Sequence, residues 1–373
     1  MHITAIKATL LKERVLWARK IESIVTIRSA DRRSRQRAMP WPGSVLVEVE
    51  TDEGFTGVGL GGGGLSAIVA IEHYLSPLLT GENPLDIEAL WELMYSASYR
   101  YGQAGLMLMA ISGIDLALWD LKARVMNQPV WQLLGGKVRE RVPVYATIRE
   151  PVWAQAQGFC GIKLGGPYGP ADGSEGIRKN ETVIATIRER VGPNFDIMLD
   201  CARTWDIDYT IEMARILAPY RIKFIEEPIL SNDVEGYCHL RRSIHSTLIA
   251  CGEHVFTRFA ADALLKAGAV DIIQPDIRWT GGLSETLKIC DLAAAANIPV
   301  MPHRGGMAWA LHLIMAHPSC TIAEGLVLTE EEANYSVFDG EPVPEQGTLA
   351  ISNGPGFGLT LQHDRITSFL GSI

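Results

Sequence analysis

Nowhere in the 373 residues does an apolar run of about 18 or more escape charge, so no stretch reads as a membrane-spanning helix. Cysteines are few and scattered. The six, at 160, 201, 238, 251, 290 and 320, include no Cys-x-x-Cys pair and no disulfide spacing. They read as reduced thiols, which predicts a cytoplasmic protein. Positive charge is in deficit, with 34 Lys and Arg against 43 Asp and Glu for a net charge of −9. A phosphate-binding face needs the opposite balance, which argues against nucleic acid as the partner. A small anion remains open, because a metal ion and a few cations can make a positive local field. Met1 to Arg14 lacks the uncharged apolar core and cleavage pattern of a secretory signal. The glycines from Gly61 to Gly64 lack the Lys-Ser/Thr context of a phosphate loop and read as a flexible turn.

What is present is ordinary in amount, 47% apolar and 21% charged residues, and the length allows a large core and two domains. The informative pattern lies between Gly161 and Glu324. There, short apolar runs end repeatedly on a residue able to bind a metal or move a proton. The terminal residues are Lys163, Asp200, Glu226, Glu253, Asp276, His303 and Glu324, spaced 21 to 37 apart by subtraction. One strand plus one helix fits each interval, and that alternation predicts a parallel sheet. Seven or eight such units close into a barrel whose active site collects at the C-terminal ends of the strands. The predicted fold is α/β, a modified TIM barrel of (β/α)7β type with an N-terminal α+β capping domain.

Residues 1–127 carry the cap pattern. Ile3 to Leu11, Ser44 to Thr51 and Phe55 to Gly59 read as strands. Ser66 to Leu79, Leu85 to Ser98 and Gln103 to Met126 read as helices. Between the first two strands lies a lid-like loop (about 20–43) holding Arg28, Arg32, Arg33, Arg35 and Arg37. A solvated charge run is the ordinary reading of such a loop; a substrate lid is the other. Residues 128–335 read as the barrel. Its first strand is Val142 to Ile148, and Ile298 to His303 supplies the seventh. Helices are predicted over 175–191, 208–218, 234–244, 256–267 and 282–296. Residues 336–373 form a C-terminal segment in which the strand–helix rhythm stops.

Asp200, Glu226 and Glu253 close three successive units, so they should stand side by side. Three adjoining carboxylates repel unless a cation joins them, and an all-oxygen set favours Mg2+ over softer metals. Each taken alone could be a solvated strand-end acid; their common phase favours the metal. His303 and Asp276 end neighbouring strands, a pairing that suits an imidazole to proton transfer. A lone strand-end histidine is otherwise structural or metal-bound, and Asp276 has a competing role as a helix N-cap. Lys163 is either a surface cation or a holder of a substrate carboxylate. Glu227 and His254 directly follow two of the ring acids, and strand alternation ranks them as support.

Asp200, Ile225-Glu226-Glu227-Pro228, Gly252-Glu253, Gln274-Pro275-Asp276 and Pro302-His303 together resemble the mandelate racemase branch of the enolase superfamily. Within it, Pro129-Val-Trp-Gln-Leu-Leu-Gly-Gly136, Gly169-Pro-Ala-Asp-Gly173, Gly236-Tyr237 and Gly354-Pro-Gly-Phe-Gly358 are similar to the rhamnonate dehydratase-like acid-sugar dehydratases. The resemblance implies a Mg2+-dependent lyase acting through α-proton removal and an enolate. It makes His303 the proton carrier with Asp276 beside it, and Glu324 the partner of the enolate oxygen. Arg35 and His254 become substrate contacts, the C-terminal segment packs back on the cap, and a homo-oligomer is expected. The racemase pattern Lys-x-Lys is broken here, because Gly165 stands at its second position. One of two opposed bases is therefore missing, which favours dehydration over racemisation. An epimerase, a cycloisomerase or a catalytically silent metal-binding homologue are the alternatives.

Overall fold

In the N-terminal part, Ile3–Leu11 (β1), Ser44–Thr51 (β2) and Thr56–Gly61 (β3) form an antiparallel sheet in that order. The computed structural model describes residues 1–11, 43–148, 150–326, 328–334 and 336–369. The arginine-rich loop, Arg35 included, lies outside the described residues. Alternation along β2 turns Val45, Val47 and Val49 into a core shared with the helices Ile87–Ala97 and Leu106–Val125. Glycines on β3 allow the long helix to approach the sheet. A Cβ at Gly59 would stand 2.1 Å from the Gly113 carbonyl oxygen, so only a bare backbone fits. Of the glycine run read as a turn, Gly61 ends β3 and Gly64 starts the helix Gly64–Ala70. That helix passes through a wider turn at Ile71–Leu75 into Ser76–Leu79, where the sequence predicts one continuous helix.

The second part is a curled parallel sheet of Val142–Ala146 (β4), Gly161–Gly165 (β5), Asp196–Asp200 (β6), Ile222–Glu226 (β7), Leu248–Cys251 (β8) and Ile272–Ile273 (β9). The strand Ala323–Gly325 (β10) pairs back onto β4. The predicted seventh strand shrinks to a single point. Val300 bridges Ile273 on one side and Cys320 on the other. Proline explains the loss. Pro299 and Pro302 have no N–H to give a ladder. What remains is Val300 N–H donating to Ser319 O at 3.0 Å, Met301 N–H to Ile273 O at 3.0 Å and Ile273 N–H to Pro299 O at 3.1 Å.

Helices Gly173–Val191, Ile207–Leu217, Val234–Ser243, Thr257–Lys266 and Gly282–Ala295 follow the strands, within two residues of the spans the sequence predicts. Ala308–Ala316 is a further helix that the periodicity did not announce. It is apolar on nearly every side and almost wholly buried, so it has no polar face to mark its turns. Within the barrel, Tyr145, Met198, Phe224, Ile272, Met301 and Ile322 fill the interior. The next inward position on a strand lies two residues on. This period takes Met198 to Asp200, Phe224 to Glu226, Ile272 to Gln274 and Ile322 to Glu324, all at the same rim.

Asp120, on the long helix, ties the C-terminal segment to the N-terminal sheet. Its carboxylate accepts from Val58 N–H and Phe357 N–H, each at 3.0 Å, and from Arg124 Nε at 2.6 Å. No described helix is long and apolar enough to cross a membrane.

Candidate active site

Lys163 projects from β5 into the rim and finds two carboxylates. Its Nζ lies 2.8 Å and 2.9 Å from the Glu226 oxygens and 2.8 Å from Glu324 Oε1. All three side chains are almost fully buried. Burial alone would lower the lysine, but Glu226 and Glu324 outweigh it and hold the ammonium well above its ordinary range. Gln274 Nε2 donates to Glu226 Oε2 at 2.8 Å. Even so, burial pushes Glu226 up to about 8, with Asp200, Glu324 and Glu253 pressing the same way against Lys163. Glu324 is held down to about 2, since Lys163 and His303 overcome its burial. Thr147 Oγ1 donates to Glu324 at 2.6 Å and Arg304 N–H at 2.8 Å, so this carboxylate is pinned in its ionised form.

Across the rim, His303 Nδ1 lies 2.8 Å from Asp276 Oδ2, and its Nε2 lies 3.2 Å from Glu253 Oε2. Burial works against the charged ring, yet Glu253, Asp276 and Glu324 raise His303 to about 10. The other oxygen of Asp276 accepts Arg278 N–H at 2.7 Å. This clasps the turn after β9 but caps no helix, because the next helix begins at Gly282 with Gly281 as its N-cap.

A second cluster adjoins the first. His254 Nδ1 stands 2.9 Å from Glu227 Oε2 and 3.1 Å from Glu253 Oε1, and Arg203 Nη1 donates to Glu227 Oε2 at 2.8 Å. Ser231 Oγ donates to the other Glu227 oxygen at 2.8 Å. The Trp279 ring lies between both histidines, with centroids 5.4 Å from His254 and 5.4 Å from His303. Strand alternation does not reach Glu227 or Arg203, because the chain has left the strand there with φ of 37° and 60°. Arg203, Trp279, Thr147 and Arg304 are thus loop residues that carry no periodic signal. Gln274 had one, lying two residues after an inward-facing Ile272.

Asp200 pairs in register with Glu226 on one side and Gly165 on the other, and its Oδ1 accepts Ala202 N–H at 2.8 Å. A Cβ at Gly165 would meet nothing within 4 Å. The place where a second lysine would start is open space. Asp200, Glu226 and Glu253 offer only oxygen, at the ends of three consecutive units. The buried Glu226, raised by its acidic neighbours, is the kind of group that a hard cation relieves. Among the described residues it is Glu227, Glu253 and His254, not Asp200, Glu226 and Glu253, that bring one ligand atom each within 4.8 Å of one another. Glu253 belongs to both groupings.

Residues 148–365 match the family description "Enolase C-terminal domain-like", and residues 33–135 match "Mandelate racemase / muconate lactonizing enzyme, N-terminal domain". The chain is 39% identical over 325 residues to an L-rhamnonate dehydratase of Saccharopolyspora erythraea, covering 86% of this chain and 83% of that protein. The structure of rhamnonate dehydratase from Gibberella zeae complexed with Mg superposes with a TM-score of 0.90 at 34% identity, over 99% of this chain and 96% of that one. A 3,6-anhydro-D-galactonate cycloisomerase from Zobellia galactanivorans gives a TM-score of 0.84 at 28% identity, over 100% of both chains.

Proposed function

The chain belongs to the mandelate racemase / muconate lactonizing enzyme family of the enolase superfamily, and on that premise we propose that it is a Mg2+-dependent acid-sugar dehydratase. The substrate is an aldonate of the L-rhamnonate type, and the products are water and a 2-keto-3-deoxy acid. The reading rests above all on one asymmetry. A buried imidazole–carboxylate pair, His303–Asp276, stands on one side of the rim, while the second-base position opposite is Gly165 with open space around it.

Asp200, Glu226 and Glu253 would hold the Mg2+, which when bound supplies a Lewis acid that lowers the energy of negative charge on a substrate carboxylate. Lys163 adds a fixed positive charge at the same rim. His303 moves the protons. With Nδ1–H tied to Asp276, Nε2 is the nitrogen left for transfer, and it takes the proton α to the carboxylate once Glu253 releases it. The C–H electron pair passes into the carboxylate as an enolate. The imidazolium then returns its proton to the β-hydroxyl, the C–O bond breaks and water leaves; the enol that remains gains a solvent proton at C3, loses its C2 hydroxyl proton and becomes the 2-keto-3-deoxy acid. Thr147 Oγ–H and Arg304 N–H hold Glu324 in place; it is ionised in the free site, and once it carries a proton it can donate a hydrogen bond to the substrate's carboxyl oxygen as charge shifts. His254 and Arg35 are assigned to the distal hydroxyls. The six cysteines stand as thiols, in accord with a cytoplasmic enzyme, and a homo-oligomer belongs to the same reading.

The test is a screen of acid sugars with Mg2+ for keto-acid formation. Keto acid from L-rhamnonate or a stereochemical neighbour is the expected result. Exchange of the α-proton without keto acid would point to an epimerase or cycloisomerase, and neither outcome across the set would end the enzymatic reading.

A further inference from the structure

Far from the rim, at the N-terminal end of β10, three soft or borderline donors come together. Cys290 lies on the helix Gly282–Ala295, and His317 and Cys320 lie on the turn between Ala308–Ala316 and β10. One ligand atom from each falls within 4.8 Å of the other two. We propose that Cys290, His317 and Cys320 form a second metal site, separate from the catalytic one, that takes a borderline divalent ion such as Zn2+.

The geometry supports three of the four corners of a tetrahedron. The two sulfurs are 3.8 Å apart, and two thiolates each about 2.3 Å from a tetrahedral zinc are separated by roughly that distance. His317 Nε2 lies 3.2 Å from Asp291 Oδ1. A carboxylate on the far nitrogen fixes the tautomer and leaves Nδ1 for the metal, the usual outer partner of a ligating histidine. Nδ1 now accepts Ser319 N–H at 3.3 Å and rests 2.7 Å from Ser319 Oγ, two contacts that a metal would replace. His317 and Cys320 are three apart, within the spacing that structural zinc ligands share. Their turn is closed by Cys320 N–H donating to His317 O at 3.3 Å. Arg139 braces it from outside, with Nη1 3.0 Å from His317 O and Nη2 3.3 Å from Pro318 O.

The chemistry of the cluster agrees. Two sulfurs and one imidazole share the same small volume, the mixed donor set that a borderline ion takes. Both cysteines are buried, whereas Asp291 is exposed and His317 partly so, which gives the ion a way in and a fourth position for water. A scan for Cys-x-x-Cys misses the group, because one cysteine sits on a helix 30 residues upstream of the other.

The site is distinguishable from the catalytic metal because only it has sulfur. Reduced, metal-free full-length protein, with Mg2+ in excess, is titrated with Co2+. The expected result is thiolate-to-cobalt charge-transfer absorption that saturates at one ion per chain and is displaced by Zn2+. Cys290→Ser and Cys320→Ser should each abolish it, and Asp291→Asn should weaken binding about tenfold. His317→Gln, at a partly exposed position, should lose the band while keeping native circular dichroism. No charge transfer in the reduced protein, bands that survive either serine variant, or recovery of the chain with Cys290 and Cys320 disulfide-linked and metal-free would each overturn the proposal. These readouts do not depend on turnover, so they stand or fall apart from the dehydratase reading.

Discussion

Asp276 serves His303 and the following turn at once: one carboxylate oxygen lies 2.8 Å from the ring Nδ1 and the other accepts Arg278 N–H at 2.7 Å. An asparagine can keep the second contact and still accept from the ring, but it cannot supply the charge that stabilises the imidazolium. Asp276→Asn should therefore fold normally, with kcat reduced roughly a hundredfold or more. Steady-state kinetics with a matched circular dichroism spectrum checks this. A variant at full rate would remove Asp276 from the mechanism.

Gly165 offers a second experiment. Its Cβ position is open, so Gly165→Lys should change stability by less than about 1 kcal/mol. A second amine opposite His303 should add α-epimerised substrate to the products. Chiral analysis of recovered acid reads this, and unchanged stereochemistry would mean that position 165 does not face the reacting carbon.

The interface between the two parts of the chain can be probed at Asp115. Its buried carboxylate accepts Ser284 N–H at 3.0 Å and Ser284 Oγ–H at 2.6 Å, at the start of the helix Gly282–Ala295. Asp115→Ala leaves both donors unpaired, which costs about 2 to 4 kcal/mol. Chemical denaturation should show that loss; a midpoint equal to wild type would contradict it.

His312 sets a pH dependence. It is fully buried, its Nδ1 accepts Trp131 N–H at 3.0 Å, and burial lowers it to about 3. The unfolded ring takes a proton near its ordinary value of 6.5, while the folded ring does not. Its contribution is therefore complete above about pH 6.5 and is lost as pH falls toward 3, by up to roughly 1.4 kcal/mol per pH unit. His312→Gln should be less stable at neutral pH but show a shallower loss between pH 6 and 4. Parallel slopes would argue against a neutral buried ring.

The strand ends were legible because a period of two is strict. Knowing that Phe224 faces inward is enough to aim Glu226 at the rim, and the same step aims Lys163, Asp200 and Glu324. The prolines at 299 and 302 are equally visible, and the donors they lack reduce the predicted seventh strand to the two bridges that Val300 makes. The His254–Glu227–Arg203 cluster could not be read this way. Its geometry depends on left-handed backbone at Arg203 and Glu227, and alternation says nothing about residues beyond the strand. The helix Ala308–Ala316 escaped for the opposite reason, being too apolar to show a face.

Removal of divalent ions should abolish turnover reversibly, with Mg2+ restoring it. Glu226→Gln should raise the Mg2+ concentration needed, because the variant replaces a carboxylate with a neutral amide at the proposed ion site. Activity that persists in chelator would contradict the metal assignment.

The most direct test of the central claim follows one proton in deuterated water. With L-rhamnonate and Mg2+, the wild-type chain should give a 2-keto-3-deoxy acid carrying solvent deuterium at C3, seen by proton NMR, and His303→Asn should give none. Keto acid at an undiminished rate from His303→Asn, or α-deuterated sugar acid with no keto acid from the wild type, would contradict the account.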